Sequence, residues 1–414
     1  MKKCAAILLM LMLCLCSSGC SLFWPDASDP VASGEPVDSA AYEWRWSYQR
    51  LSPRLQEDYV ALFQAVTDHF DVDSTVKISK NEAEDSRSGE GEERMGVRVS
   101  LPQVLVSLDE AQELYIAFTR DNPQFFYLGS TYNLEGYSVR DQNYYNALSL
   151  VFTMNAAERR TAQTRLEAAV ADCLRKVRPG EYDYGQELAL HDALLERCVY
   201  DEEVAERGGT DEMDANAFTA YGALVEGRAV CEGYSRGMQL LLHEAGIDCT
   251  LVSGSSIETG VSHMWNMVTI DGRNYHLDPT WDDSERVRHI YFNLTSEEIA
   301  RTHRLDEDNI GIDTCTATEA NFYRQNGTDM DTYDRQLIAE TVARQVWLRQ
   351  ETIEMRFTSA TFANAVQFVR GQNGGLLLDM TNTLLKPKGL EMWDYAIQVE
   401  PDAHMIMLYP KEND

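Results

Sequence analysis

Residues 227–237 read GRAVCEGYSRG and residues 263–283 read HMWNMVTIDGRNYHLDPTWDD. In the first block and its continuation, Tyr234, Met238, Leu241, Leu242 and Ala245 recur at helical spacing, and Gly246 ends the run. Cys231 therefore stands at or just before a helix N-terminus, where the helix dipole favours thiolate over thiol, and the thiolate is the nucleophilic form. Gly227, Gly233 and Gly237 predict that another element passes close by.

The second block alternates along His263, Trp265, Met267 and Thr269, the pattern of a strand, and Asp271-Gly272 is a two-residue hairpin signal into a second strand, Arg273 to Asp278. Pairing Ile270 with Arg273 and counting back sets Trp265 opposite Asp278. His263, two residues from Trp265, then shares its face and is a diagonal neighbour of Asp278, within reach of a carboxylate–imidazole hydrogen bond. Cys231, His263 and Asp278 thus read as a thiol nucleophile, its base and the carboxylate that orients the base. His276 lies on the same face and is the rival base; nothing else marks it, and it reads as a packed strand residue. A metal site drawn from Cys231, His263, His276, Asp278 and His289 has no CxxC or HExxH spacing behind it, so no metal ligand is assigned.

The two blocks, extended as VEGRAVCEGYSRGMQLLLHEAGIDCTLVSG over 225–254 and SHMWNMVTIDGRNYHLDPTWDD over 262–283, resemble the core of the bacterial transglutaminase-like superfamily. The resemblance runs from about Tyr200 to Tyr291. It implies an α+β, papain-like fold in which a helix bearing the cysteine packs on an antiparallel sheet bearing the histidine and aspartate. It also implies the roles of nucleophile for Cys231, general base and acid for His263, and orienting carboxylate for Asp278. In such enzymes the oxyanion is held by the nucleophile's own N–H and a side chain that precedes it; Tyr221 is the candidate here. Trp265, Tyr275 and Trp281 match aromatic positions of the motif and are expected to frame the cleft. The implied activity is attack on an amide of a protein or peptide, cell-wall peptide included, through a thioester resolved by an amine or by water, with no cofactor. A non-catalytic surface protein using the same groove to bind peptide or cell-wall material is the alternative.

Outward from this core, residues 1–20 open with two lysines, continue through an apolar run and end Ser17-Ser18-Gly19-Cys20, which resembles a lipoprotein signal whose cysteine, Cys20, receives the lipid. The expected location is the outer face of a bacterial cell membrane. Residues 21–45 read as a flexible tether, 46–180 as an N-terminal α+β domain, 181–310 as the catalytic core and 311–414 as a small C-terminal α+β domain. The charged stretch from Ser79 to Gly96 reads as a mobile loop, Ala217 to Val225 as a helix and Tyr291 to Leu294 as a strand. Helix starts are marked by capping boxes at Ser107 and Thr295, and Asn155 to Glu158 begins a long helix.

With 414 residues and 44% hydrophobic content the chain can bury several cores, and its net charge of −31 argues against nucleic acid, which requires a basic surface. Beyond the signal-like segment the odd set of Cys173, Cys198, Cys231, Cys249 and Cys315 predicts a free thiol, and Cys231 is the one expected to stay free. The other four read as core or disulfide cysteines.

Overall fold

The computed structural model describes residues 37–79, 91–208, 212–284, 286–307, 309–371 and 375–411. The signal-like segment, Cys20 and most of the expected tether lie outside the described residues.

The first sheet is antiparallel with order β1-β2-β4-β3: β1 (Thr75–Ser79), β2 (Gly91–Leu105), β3 (Leu128–Val139) and β4 (Gln142–Phe152). Val97, Val99 and Leu101 alternate into the core as their spacing predicts, against the helices Pro53–Asp68 and Leu108–Asp121. The mobile loop expected from Ser79 to Gly96 is strand at both ends: Thr75↔Met95 through Ser79↔Gly91 form a ladder, and residues 80–90 lie outside the described residues. Charged residues such as Glu92 and Arg94 sit comfortably there, because backbone bonds carry the pairing and charged side chains suit a sheet edge.

Asn155 and Thr295 close capping boxes. Ser107 caps Glu110 N, but the Glu110 carboxylate reaches back one residue further, to Val106 N at 2.8 Å, and pairs with Arg54.

Two very short parallel strands, β5 (Val199–Tyr200) and β6 (Arg228–Ala229), join the start of the core to the segment before Cys231. Between them the expected helix from Ala217 to Val225 is found as helical segments of other pitch, a 3-10 helix, Glu212–Phe218, and a π-helix, Gly222–Glu226. The central helix, Cys231–Glu244, follows directly. A Cβ on Gly233 would lie 2.3 Å from Ala217 O and 2.7 Å from Ala229 Cβ, so only glycine lets the helix settle on these turns.

The second sheet has order β10-β7-β8-β9, from β7 (Cys249–Ser256), β8 (Ser262–Ile270), β9 (Arg273–Leu277) and β10 (His303–Leu305), all antiparallel. Ile270 pairs with Arg273 as predicted, and the register runs on to Asn266↔Leu277. Asp271 and Gly272 both take positive φ, 50° and 72°, as a type I′ turn requires. Val268, Ile270, Tyr275 and Leu277 on one face join a core with Tyr234, Met238 and Leu241 of the central helix, whereas Trp265 and Met267 pack from the other face with Val252, Leu294 and Ile299. Tyr291 to Leu294 is not a strand; it contributes a single bridge, His276↔Leu294.

That first core runs without interruption from Ala41 to Ala320. A separate core serves the tail, where β11 (Asp329–Met330), β12 (Ile353–Phe357), β13 (Asp394–Glu400) and β14 (Met405–Lys411) form a sheet of order β11-β12-β14-β13 flanked by the helices Arg335–Trp347, Ser359–Arg370 and Gly375–Leu385. Cys173, Cys198, Cys249 and Cys315 are buried and unpaired, so among the described residues they are core cysteines and form no disulfide.

Candidate active site

Cys231 is the first residue of the central helix and is partly exposed, and its thiol lies near enough to His263, the second residue of β8, to raise the pKa of that imidazole. The helix is fastened to that strand by two polar side chains. Ser235 Oγ lies 2.8 Å from Cys231 O and 2.9 Å from Met264 O, and Asn266 Nδ2 donates to Ser235 O at 3.0 Å. Ser235 and Asn266 thereby set the height of the thiol over the histidine.

His263 Nε2 lies 2.7 Å from Asp278 Oδ2. With Nε2 committed to the carboxylate, Nδ1 is the nitrogen left for the thiol. Asp278 is fully buried and ends the β9 hairpin arm as the N-cap of the short helix Pro279–Asp282; its Oδ1 accepts from Thr280 N at 3.0 Å and Trp281 N at 3.2 Å. Burial alone would raise this carboxyl, but the charge and hydrogen bond of His263 and the hydrogen bond of His303 hold it well below the usual carboxylate range. Burial alone would likewise lower His263, but the Asp278 charge and hydrogen bond, joined by Cys231, raise it to about 10. At neutral pH the imidazole is therefore charged.

Sequence reasoning brought Cys231, His263 and Asp278 together, and the structure brings together the same three. His276 does not compete: Trp265 Nε1 donates to its Nδ1 at 3.1 Å, Ser296 Oγ lies 3.1 Å from its Nε2, and burial lowers it to about 4. Two of the three motif aromatics surround the base, Trp281 with its ring centre 5.5 Å from that of His263 and Trp265 at 6.0 Å. Tyr275 does not. Its register partner is Val268, so it faces the central helix side of the sheet and is buried there, the consequence of standing one residue out of phase with His276 and Asp278.

Tyr221 is also placed elsewhere than expected. Its ring stacks on Phe126 at 5.0 Å, its hydroxyl accepts from Arg165 Nη1 at 2.8 Å, and it is a packing residue of the first core. Tyr200 lies near enough to the thiol to feel its charge. β5 pairs it with Ala229, two residues before Cys231, and burial followed by the neighbouring charges of Cys231 and Asp278 raises its hydroxyl to about 12. The only sequence signal was its place at the head of the motif, since strands of two residues carry no periodicity.

A second imidazole, His303, was not anticipated at all; its Nε2 lies 3.0 Å from Asp278 Oδ2. The donor atoms of His263, Asp278 and His303 come close enough together to hold a metal, as do those of His191, Asp192 and His289. In both groups the hydrogen bonds among the members account for the closeness.

Residues 171–279 match the family model of the transglutaminase-like superfamily, and Cys231, His263 and Asp278 all fall inside that segment. The chain thus carries a transglutaminase-like domain. It is similar to the kyphoscoliosis peptidase of Mus musculus, 28% identical over 136 residues, a match that takes in 30% of this chain and 19% of the mouse protein. The chain therefore spans about a fifth of the length of that relative. Among solved structures, a TGase matches at 14% identity with a TM-score of 0.28, over 47% of this chain and 53% of that one. A candidate cysteine protease from Cytophaga hutchinsonii matches at 13% identity with a TM-score of 0.23, over 37% and 63%.

Proposed function

We propose that the protein is a cysteine acyltransferase or amidase that acts on amide bonds of protein or peptide substrates through a thioester on Cys231. The observation that carries this reading is that the Cys231 thiol lies near enough to His263 to raise its pKa, while His263 makes the 2.7 Å bond with Asp278. The Cys231 thiolate attacks the amide carbonyl carbon, forming the C–S bond and an oxyanion. The oxyanion is held by the Cys231 N–H, free at the first position of the helix, and by the Tyr200 hydroxyl. As the C–N bond breaks, the His263 imidazolium gives its proton to the leaving amine. Neutral His263 then takes a proton from an incoming amine or water, whose attack on the thioester returns the thiolate. Asp278 stabilises the imidazolium at both stages and itself stays ionised.

The natural address in this reading is the outer face of a cell membrane, with a lipid on Cys20 and peptide or cell-wall peptide as substrate. Incubating the protein with a glutamine-containing peptide and a tagged primary amine tests the reaction. Tag incorporation with release of ammonia marks a transferase, and ammonia or peptide cleavage without incorporation marks an amidase or peptidase. If neither product forms under conditions where the protein is folded, the enzymatic reading is wrong.

A further inference from the structure

The orienting carboxylate of this site carries more support than a nucleophile–base–carboxylate line needs. Both oxygens of Asp278 are doubly occupied: Oδ1 by Thr280 N and Trp281 N, Oδ2 by His263 Nε2 at 2.7 Å and His303 Nε2 at 3.0 Å. The proposed chemistry uses His263 and leaves His303 without a task. His303 also lies beyond residue 279, where the match to the family model ends.

The placement of His303 is specific. It is the first residue of β10, its side chain is fully buried, and it pairs with Ser256 of β7 while Gly254 of the same strand pairs with His263. A Cβ on Gly254 would lie 2.2 Å from Arg304 O and 2.7 Å from Trp265 Cη2, so the glycine is what lets β10 and the indole close in on the imidazoles. Ring centres of Trp281 at 4.2 Å, Trp265 at 4.9 Å, His263 at 5.2 Å and Tyr291 at 5.6 Å surround His303. A carboxylate only accepts, so His303 Nε2 carries a proton and donates it; Thr302 Oγ1, 2.8 Å from Nδ1, fixes the ring from its other side.

We propose that His303 is a positioning residue for the acyl-transfer site: it locks the Asp278 carboxylate so that Oδ2 faces His263 and stays ionised. This rests on the function proposed above. Two backbone donors alone would hold Oδ1 and leave Oδ2 tied only to His263, the group whose charge changes during the reaction. With His303 in place, Oδ2 has a donor that takes no part in proton transfer, and rotation of the carboxylate would break bonds at both oxygens. The titratable groups around Asp278 are His263 from β8, His303 from β10, Tyr200 from β5 and Tyr291, with Cys231 on the far side of His263 and His276 beyond His303.

The test uses the full chain with His303→Phe, which keeps a ring and removes the donor, and His303→Gln, whose amide can donate to the same oxygen. Turnover of a glutamine-containing peptide is measured together with the rate of Cys231 alkylation by iodoacetamide from about pH 4 to about pH 9. His303→Phe is expected to lower turnover roughly tenfold or more, because a hydrogen bond to a buried charge is lost. It is also expected to move the acid limb of the alkylation profile to higher pH, since a buried Asp278 with one donor fewer takes up a proton more readily and then no longer supports the imidazolium. His303→Gln is expected to restore most of both. Wild-type turnover and an unmoved acid limb in His303→Phe would overturn the proposal, as would equal losses in both variants with an unmoved limb, which would mark a packing role. If His303→Phe does not fold, Thr302→Val, which frees Nδ1, is expected to shift the same limb by less, and no shift there would overturn it. A wild-type Cys231 that alkylates no faster than the buried cysteines is a different result, and it contradicts the function itself.

Discussion

Asp278 Oδ2 stands 2.7 Å from His263 Nε2 in a buried setting, and the charge and hydrogen bond of this carboxylate are the main support of the charged imidazole. Asp278→Asn preserves the shape and removes the charge, and the new amide can present the wrong group to Nε2. Turnover is expected to fall on the order of 10³-fold with little change in KM, because the imidazolium that protonates the leaving amine loses its charged partner. Steady-state kinetics on the folded variant check this.

The same pair sets a pH dependence whose sign is fixed. His263 is raised from the ordinary histidine value to about 10, so its contribution to stability is complete below about 6.5 and is lost as pH rises toward about 10. Turnover, which needs the imidazolium to protonate the leaving amine, is expected to decline over the same upper range. Alkylation of Cys231 by neutral iodoacetamide needs only the thiolate and is expected to persist. Parallel loss of both in a folded sample would contradict the assignment of His263 as the acid.

Tyr200 and Tyr221 are separated by a pair of substitutions. Tyr200→Phe removes the hydroxyl proposed to hold the oxyanion and is expected to lower kcat about 10- to 100-fold with unchanged stability. Tyr221→Phe loses the bond from Arg165 and is expected to cost about 1 kcal/mol of stability, with kcat unchanged. Kinetics and urea unfolding of both variants decide between them.

The tail unit is tied to the core through His289. Its Nδ1 lies 2.7 Å from Glu354 Oε1 of β12 and its Nε2 3.0 Å from Asp192 Oδ1, while its ring stacks on Phe322 at 3.9 Å. Burial would lower its pKa, but the two carboxylates outweigh burial and raise it to about 10. The tie is therefore complete below about 6.5 and weakens as pH rises toward about 10. Glu354→Gln leaves a buried charge short of a partner and is expected to cost about 3 to 5 kcal/mol at neutral pH, a deficit that narrows in alkaline buffer. Urea unfolding at the two pH values measures it.

The sequence disclosed what regular periodicity and turn chemistry encode. The run from Tyr234 to Ala245 marked the helix, Asp271-Gly272 fixed the register that puts His263 beside Asp278, and Val97, Val99 and Leu101 announced their strand. Tyr275 faces away from the cleft by the same alternation that brought Asp278 in, so its position was legible and the motif match obscured it. Tyr200 and His303 were out of reach for a different reason. Each sits on a strand of two or three residues whose partner lies far along the chain, and no local pattern specifies such a pairing. The start of β2 was hidden because a strand rich in charged residues looks like a loop.

The central claim is that Cys231 is a nucleophile activated by His263, and mass-spectrometric mapping of alkylation in the native protein tests it most directly. Cys173, Cys198, Cys249 and Cys315 are buried and burial raises each of their thiols, so they serve as internal controls. The account predicts that near pH 6 iodoacetamide modifies Cys231 at least about tenfold faster than any of the four, and that His263→Ala removes that advantage. Equal slow labelling of Cys231 and these four cysteines, or rapid labelling of Cys231 that His263→Ala leaves unchanged, would contradict it.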